Sequence, residues 1–284
     1  MRNAIAAGLA AASLLLGLSA APALAKTNAE EPAKIAWSFD GPFGKFDQRQ
    51  LQRGFKVYAE VCSSCHSMNL MSYRNLAQPG GPFYDKKYPI PAESPYAKAI
   101  AAAVQVDDID PDTGDKAQRP GTPADKFKAP FPNEAAARAA NGGALPPDLS
   151  VIVRAREGGA DYVHAILTGY VDPPAGLEVP DGKYYNPFMP GDLGSYWKGP
   201  KNKVPRGGFI AMPKQLVDDR VQFDDGTKAT ADQEAKDVAA FLAWAAEPKQ
   251  TERKETGFAV LIYLIGFAVL LFFSYKAIWK NVAH

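Results

Sequence analysis

The sequence predicts a mainly α-helical domain with long loops, preceded by an export signal and followed by one transmembrane helix. Residues 1–25 combine a basic start with an apolar run, and residues 257–275 carry no charged side chain. Between them, helical periodicity is interrupted by long stretches rich in Gly and Pro, of which the chain has 24 each. Neither an internal repeat nor a strand-rich region is predicted.

Residues 1–25 are predicted to be a cleaved secretory signal peptide. Arg2 supplies the basic start, an Ala- and Leu-rich run supplies the apolar region, and residues 23–25 read Ala-Leu-Ala, a small-residue cleavage site. A retained membrane anchor is the alternative. Cleavage would leave an exported domain over residues 26–255.

Residues 256–276 are predicted to be a transmembrane helix, with residues 277–284 as a short cytoplasmic tail. The uncharged run over residues 257–275 is about as long as the hydrocarbon core requires. Lys276, Trp279 and Lys280 follow it as interfacial anchors. The exported domain therefore faces the periplasm or the exterior. The formal net charge of the whole chain is +1, which does not indicate nucleic acid as a partner.

The only two cysteines of the chain lie in the motif Cys62-Ser-Ser-Cys65-His66. A disulfide, a redox dithiol and half of a zinc site are possible for a cysteine pair. No second Cys or His pair completes a zinc site, and no strand pattern precedes the motif. C-x-x-C-H is the attachment signature of c-type haem, in which two thiolates add to the haem vinyl groups and the adjacent imidazole binds the iron. We therefore predict one covalently bound haem c.

Three side chains are candidates for the second axial ligand of the iron. Met68 and Met71 lie too close to His66 in sequence to cross the haem plane, and His284 lies beyond the membrane helix. A lone His in a helical run is more often structural than a ligand, and Met is often a core filler. Spacing alone therefore leaves three possibilities open, which are Met189, Met212 and His164.

Two helices are predicted to form the centre of the domain. The first leads into the cysteine motif with an apolar stripe of Leu51, Phe55, Tyr58 and Val61, and the second begins at a Thr230–Gln233 capping box and carries the stripe Val238, Phe241, Leu242 and Ala245. Gly54 lies within the first helix, where Gly is unfavourable, so we expect a close crossing of the two helices.

Shorter helices are predicted at residues 133–141, 146–157 and 160–170, from capping residues and from Pro and Gly at their ends. Residues 172–213 are predicted to be a long loop region, because Pro and Gly interrupt them repeatedly. The acidic stretch at residues 107–115 is predicted to be a solvated loop.

Several stretches resemble the cytochrome c1 family. They are CSSCHSMNLMSYRNL, RPGTPADKF, NEAAARAANGGALPPDLSVIVRAREGGADYV, ILTGYVDPPAG, NPFMPG and DDGTKATADQEAKDVAAFLAWAAEP. The resemblance implies a class I-like cytochrome c core with long loop insertions. It also implies that Met212 is the sixth iron ligand and that Arg119, in RPG, pairs with a haem propionate. An insertion, DLGSYWKGPKNKVPRGGF, separates Met189 from Met212 and departs from the shorter family pattern.

The resemblance also implies a function. A haem with His and Met on the iron is suited to one-electron transfer, because no position is open for a substrate. The family transfers electrons from the Rieske iron–sulfur protein to a soluble or membrane-bound cytochrome c, beside a cytochrome b subunit, in the ubiquinol:cytochrome c oxidoreductase (cytochrome bc1) complex of a respiratory or photosynthetic chain. This chain would then be an electron-transfer subunit without a catalytic site of its own, in the bacterial inner membrane with its haem domain in the periplasm.

Two other functions fit the residues. One is a free-standing membrane-anchored cytochrome c shuttle or an oxidase subunit, and the other is a haem enzyme or gas sensor with an open sixth position. For the electron-transfer function that the resemblance implies, acidic clusters at residues 107–115 and at Asp218 and Asp219 could steer a basic soluble cytochrome c.

Overall fold

The computed structural model describes residues 28–281, which form a mainly helical domain with two small sheets and a C-terminal helix. The predicted signal peptide and the last residues of the predicted tail lie outside the described residues. In chain order, the helices are α1 (Gln48–Glu60), α2 (Pro95–Ala102), α3 (Glu134–Ala140), α4 (Ile152–Ala155), α5 (Gly159–Thr168), α6 (Ala231–Ala246) and α7 (Gln250–Trp279), and the strands are β1 (Gln105–Ile109), β2 (Lys116–Pro120), β3 (Tyr184–Asn186) and β4 (Gly208–Ile210).

The centre of the domain is the crossing of α1 and α6. A Cβ atom added at Gly54 would lie 2.0 Å from the carbonyl oxygen of Asp237 and 2.7 Å from the Cβ of Phe241. Only glycine permits this approach, so the predicted close crossing is confirmed. The backbones meet there, and the helix that leads into the cysteine motif is thereby fixed in place.

Helix α6 is buried along most of its length. Its N-terminus is capped by Thr230, whose hydroxyl accepts a hydrogen bond from the Gln233 amide at 3.2 Å, but the predicted capping box is not completed, because the Gln233 side chain donates to Asp237 instead. The predicted apolar stripe is buried in full, and Trp244 beside it is buried as well. Helix α6 packs against α1, α4 and α5, so it is the common partner of the helical elements around the cysteine motif.

An ion pair lies under the same crossing. The guanidinium of Arg53 on α1 donates to Asp237 on α6 at 2.6 Å and to Asp225 at 2.7 Å. Gln50 and Gln233 also donate to the Asp237 carboxylate, which is fully buried. A buried carboxylate needs such partners, and they fix the register of the two helices.

The prediction of a helix over residues 146–157 is wrong for its first half. Helix α4 covers only Ile152–Ala155. Residues 148–150 have no helical structure, because their polar groups bond instead to the loop after His66, which lies about eighty positions earlier in the chain. The predicted helices at residues 133–141 and 160–170 are confirmed as α3 and α5.

Two predicted loops contain short strands. Residues 172–213 hold β3 and β4, which pair antiparallel with Tyr184 opposite Ile210, above a small apolar cluster of Leu177, Tyr185 and Leu193. The acidic stretch at residues 107–115 is mostly exposed as predicted, but its first three residues belong to β1, which pairs antiparallel with β2. Few residues are involved, so the domain remains mainly α.

Helix α7 extends away from the domain with all of its apolar side chains exposed. It has 30 residues, and an 18-residue stretch of it has a mean hydropathy of 2.5. Among the described residues it is the one helix long and apolar enough to cross a membrane, and it contains the predicted span of residues 256–276. An apolar surface of this size is unfavourable in water, so the length and composition of α7 fit a membrane anchor.

Candidate haem-binding site

The cysteine motif forms a tight turn directly after α1. Residues Cys62–Ser64 make one turn of 3₁₀-helix, and the amides of Cys65 and His66 both donate to the Cys62 carbonyl, at 3.1 and 2.9 Å. Both thiols are free and partly exposed, so the cysteines are not a disulfide. Burial raises the pKa of the Cys62 thiol to about 12, with the neighbouring Cys65 as a second cause.

The imidazole of His66 is oriented by one hydrogen bond. Its Nδ1 lies 2.8 Å from the carbonyl oxygen of Pro147. A carbonyl can only accept, so Nδ1 carries the proton and Nε2 keeps its lone pair. Burial lowers the pKa of His66 against the opposing effect of this bond, so the ring is neutral at neutral pH. A neutral imidazole whose Nδ1–H is held by a carbonyl is the form that binds a metal through Nε2.

Asp148 holds the segment that orients His66. Its carboxylate accepts hydrogen bonds from the Ser67 hydroxyl at 2.7 Å, the Asn69 amide at 2.8 Å and the Ser150 amide at 2.9 Å. Burial alone would raise the pKa of Asp148, but these bonds outweigh it and hold the pKa below its ordinary value. The ionised carboxylate therefore joins the loop after His66 to the segment that presents the Pro147 carbonyl.

Sequence reasoning did not assign roles to Pro147 and Asp148. The signal was present in the stretch ALPPDLS, which is specific to the family that the chain resembles. The function of a proline carbonyl depends on what it faces, however, and only the fold brings it within 2.8 Å of the imidazole.

The three candidates for the second axial ligand differ in their surroundings. His164 on α5 has its Nε2 at 2.8 Å from an oxygen of Asp232 on α6. The Met189 thioether accepts from the Tyr162 hydroxyl at 3.8 Å. Met212, just after β4, is bonded through its backbone carbonyl, which accepts from the Tyr170 hydroxyl at 2.8 Å. Among these three residues, Met212 is the one whose hydrogen bond is made by the backbone carbonyl. That bond fixes the position of Met212 and does not use its sulfur, the atom that would bind the iron.

The structure pairs Arg119 with carboxylates. Its guanidinium donates two bonds to Asp125, at 2.7 and 3.0 Å, and one to Asp108 at 2.5 Å. The loop that carries Asp125 bonds to the backbone of Tyr73 and Arg74, soon after the cysteine motif. Arg119 thus lies on an element attached to the site, while its pairing with a propionate stays a prediction.

The residues present fit a covalently bound haem c. Two free thiols stand three positions apart, and the next side chain is a neutral imidazole with Nε2 unprotonated. A zinc ion does not fit, because no cluster of three or more Cys, His, Asp or Glu side chains exists within residues 28–281. The donor set therefore favours haem over the other uses of a cysteine pair.

Comparisons with known proteins agree with this site. The model of the Cytochrome C1 family matches residues 37–282. The chain is 44% identical over 292 residues to Cytochrome b/c1 of Bradyrhizobium diazoefficiens, covering 96% of this chain and 39% of that protein. It is 44% identical over 252 residues to the mitochondrial Cytochrome c1 1, heme protein, of Arabidopsis thaliana, covering 89% and 73%. It is 42% identical over 275 residues to the mitochondrial Cytochrome b-c1 complex catalytic subunit of Candida albicans, covering 95% and 86%.

The chain thus spans about two fifths of the Bradyrhizobium protein and most of the Candida protein. The match covers the cysteine motif, the ALPPDLS stretch and the anchor helix together. With a family model matched over nearly all of the described residues and relatives above 40% identity, the chain belongs to the cytochrome c1 family.

Proposed function

We propose that this chain is the haem c subunit of a cytochrome bc1 complex, which accepts single electrons from a Rieske iron–sulfur protein and passes them to a cytochrome c. The observation that carries the proposal is the bond from His66 Nδ1 to the Pro147 carbonyl at 2.8 Å, directly after the two free thiols. The Candida relative is named as a subunit of the b-c1 complex, and this name supports the assignment to that assembly.

The residues of the site have distinct roles in this proposal. Cys62 and Cys65 would hold the haem covalently, so that it could not dissociate. His66 and Met212 would bind its iron, and together they would leave no position open for a substrate. The haem supplies a one-electron couple at its iron. Pro147 and Asp148 keep the imidazole in one tautomer and one orientation, which limits rearrangement when the charge of the site changes.

Arg119 has a subsidiary role in the proposal. A partly buried propionate requires a cation, and the planar fork of Arg is suited to a carboxylate. Asp125 and Asp108 already occupy the fork. Arg119 would therefore share its donors between the propionate and Asp125, and the pair of carboxylates would hold it in position.

The proposed location rests on the sequence character of residues 1–25 and of α7. We propose that residues 1–25 direct export, that the haem domain lies on the periplasmic side of the bacterial inner membrane, and that α7 packs beside a cytochrome b subunit and lipid. The exposed acidic stretch at residues 107–115 would steer a basic cytochrome c toward the site. Oxidation of that partner should then slow as salt is raised, and a rate insensitive to ionic strength would contradict the steering.

The main test compares Met212→Leu with Met189→Leu in membranes. We expect the α-band of Met212→Leu to persist, its midpoint potential to fall by on the order of hundreds of millivolts, and quinol-to-cytochrome c turnover to stop, because the axial ligand sets the potential. Met189→Leu is the matched control and should keep both potential and turnover. If the two variants exchange these behaviours, Met189 is the ligand.

A second measurement separates this function from a free-standing electron shuttle. The chain should copurify with a b-type cytochrome after extraction in a mild detergent. A chain that is isolated alone, with its haem reduced normally by an external donor, would support the shuttle.

A further inference from the structure

An exposed aromatic side chain lies beside the start of the anchor helix. Phe43 is 70% exposed, although its neighbours Trp37 and Phe39 are buried in the domain core. It occupies the tip of a short loop, residues 40–46, which we call the tip loop. A large apolar side chain held in water is unfavourable, so its surroundings need an explanation.

The tip loop is held in one shape by its own backbone. The Lys45 amide donates to the Ser38 carbonyl at 2.9 Å. Gly41 has a φ of 68°, and a Cβ atom at Gly44 would lie 1.9 Å from the Asp40 carbonyl oxygen. Both glycines are therefore required for the turn. The exposure of Phe43 is built into the loop and does not result from a flexible end.

Three contacts join the tip loop to α7. Lys254 donates to the carbonyls of Phe39 and Gly44, at 2.6 and 3.3 Å. Lys45 forms an ion pair with Glu255 at 2.6 Å. The rings of Phe43 and Phe258 meet edge to face, with centroids 5.3 Å apart and planes inclined at 77°. The loop therefore has a defined height along the anchor helix.

That height is the boundary between the charged and the apolar parts of α7. Lys254 and Glu255 are the last charged residues before the uncharged run over residues 257–275. With a rise of 1.5 Å per residue, Phe258 lies about 4.5 Å beyond Glu255 along the helix axis. Phe43 is thus level with the first apolar turn, and Lys45 is level with the last charged one. Interfacial segments place aromatic rings and cations in this order.

We propose that the tip loop is a second membrane contact, with Phe43 inserted among lipid chains at the bilayer interface and Lys45 among the headgroup phosphates. The occupant of this surface is lipid, because the ring continues the apolar surface of α7, which the membrane covers. Two separate contacts would fix the tilt of the domain on its anchor, which a single helix does not.

The test uses a spin label on Phe43→Cys in the full haem-loaded chain, assembled with its complex and reconstituted in phosphatidylcholine–phosphatidylglycerol vesicles. The wild-type chain, whose cysteines both lie in the haem motif, is the labelling control. Collisions of the label with oxygen, which partitions into lipid, are compared with collisions with a water-soluble nickel chelate. Ile109→Cys, at an apolar residue of β1 that is 64% exposed, is the matched control.

We expect the oxygen-to-nickel collision ratio at position 43 to exceed that at position 109 severalfold. A ratio equal to that of the control would place the loop in water and overturn the proposal. A label that is immobilised and shielded from both reagents would mean that another subunit covers Phe43, which would overturn it as well. None of these outcomes depends on the electron-transfer function.

Discussion

Replacing Asp148 by Ala tests how the protein orients its iron-binding imidazole. The carboxylate accepts three hydrogen bonds, from the Ser67 hydroxyl and from the amides of Asn69 and Ser150. Alanine removes both carboxylate oxygens and with them all three bonds. The segment that carries the Pro147 carbonyl then keeps only weaker attachments to the loop after His66, such as the bond from the Leu149 amide to the Ser67 carbonyl.

The expected loss of stability follows from these bonds. A hydrogen bond to a charged group contributes about 1.5 kcal/mol or more, so three contribute roughly 4.5 kcal/mol. Asp148 is only half-buried, so water replaces part of the bonding in the variant. We expect a net loss of about 2–3 kcal/mol, which lowers the folding equilibrium constant by roughly 30- to 150-fold.

The effect has a defined dependence on pH. Folding lowers the pKa of Asp148, so its stabilisation is complete above the pKa of the unfolded chain, about 3.9, and is lost as pH falls through the lower folded value. Denaturant unfolding followed by haem absorbance should therefore separate Asp148→Ala from wild type at pH 7, and the two should converge in strong acid.

The control is Asp112→Ala, which removes the same charge from the exposed turn between β1 and β2. We expect it to leave both stability and midpoint potential unchanged, whereas Asp148→Ala should also shift the potential because His66 loses its orientation. If Asp148→Ala unfolds at the wild-type denaturant concentration and keeps its potential, the bonds do not hold the imidazole and the reasoning fails.

Three further substitutions test other parts of the structure. Gly54→Ala places a Cβ 2.0 Å from the Asp237 carbonyl oxygen, so denaturant unfolding should show a loss of about 1–3 kcal/mol. Glu234→Gln should raise the free energy of unfolding at pH 7 and have no effect below about pH 4, because burial raises the pKa of Glu234 while the Val221 amide needs only one acceptor. His164→Gln should leave the optical spectrum and the midpoint potential unchanged, as expected for a residue that bonds to α6.

Each of these predictions has a control or an opposing outcome. Gly257→Ala, where an added Cβ meets nothing within 4 Å, should not alter unfolding of the domain. An increase in stability for Gly54→Ala would mean that the helices separate at no cost. The pKa of Glu234 is higher in the folded state than in the unfolded state, so the ionised carboxylate destabilises the fold increasingly as pH rises. A Gln variant that is less stable than wild type at pH 7 would contradict this reasoning. A changed optical spectrum together with a shifted midpoint potential in His164→Gln would restore that residue as a candidate ligand.

The central helices could be predicted from the sequence because their signals are local. Helices α1 and α6 have apolar stripes at helical spacing, and α6 has its Thr230 cap. Gly54 predicted the close crossing because glycine in a helix interior has no local advantage. The cysteine motif predicted its own chemistry, since the two thiols and the imidazole are neighbours in sequence.

The parts that could not be predicted depend on distant partners. Residues 148–150 have a helical pattern, but Asp148 bonds instead to Ser67 and Asn69, about eighty positions away. Strands β3 and β4 have three residues each, which is too short for a period-two pattern to appear. Likewise, the pairing of Arg119 with Asp108 depends on the β1–β2 register.

The burial of Cys62 bears on the order in which the protein is assembled. In the folded domain its pKa is about 12, whereas an unfolded cysteine has a pKa near 8.5, so unfolding increases the thiolate fraction at neutral pH roughly a thousandfold. The crossing of α1 with α6 joins Arg53 to Asp237, which are 184 positions apart, so it closes late. A chain emerging N-terminus first therefore presents its cysteines with the higher reactivity of the unfolded state before α6 exists. Attachment of the haem is chemically easiest in that interval, because folding raises the pKa of the Cys62 thiol, while both thiols stay partly exposed in the folded domain.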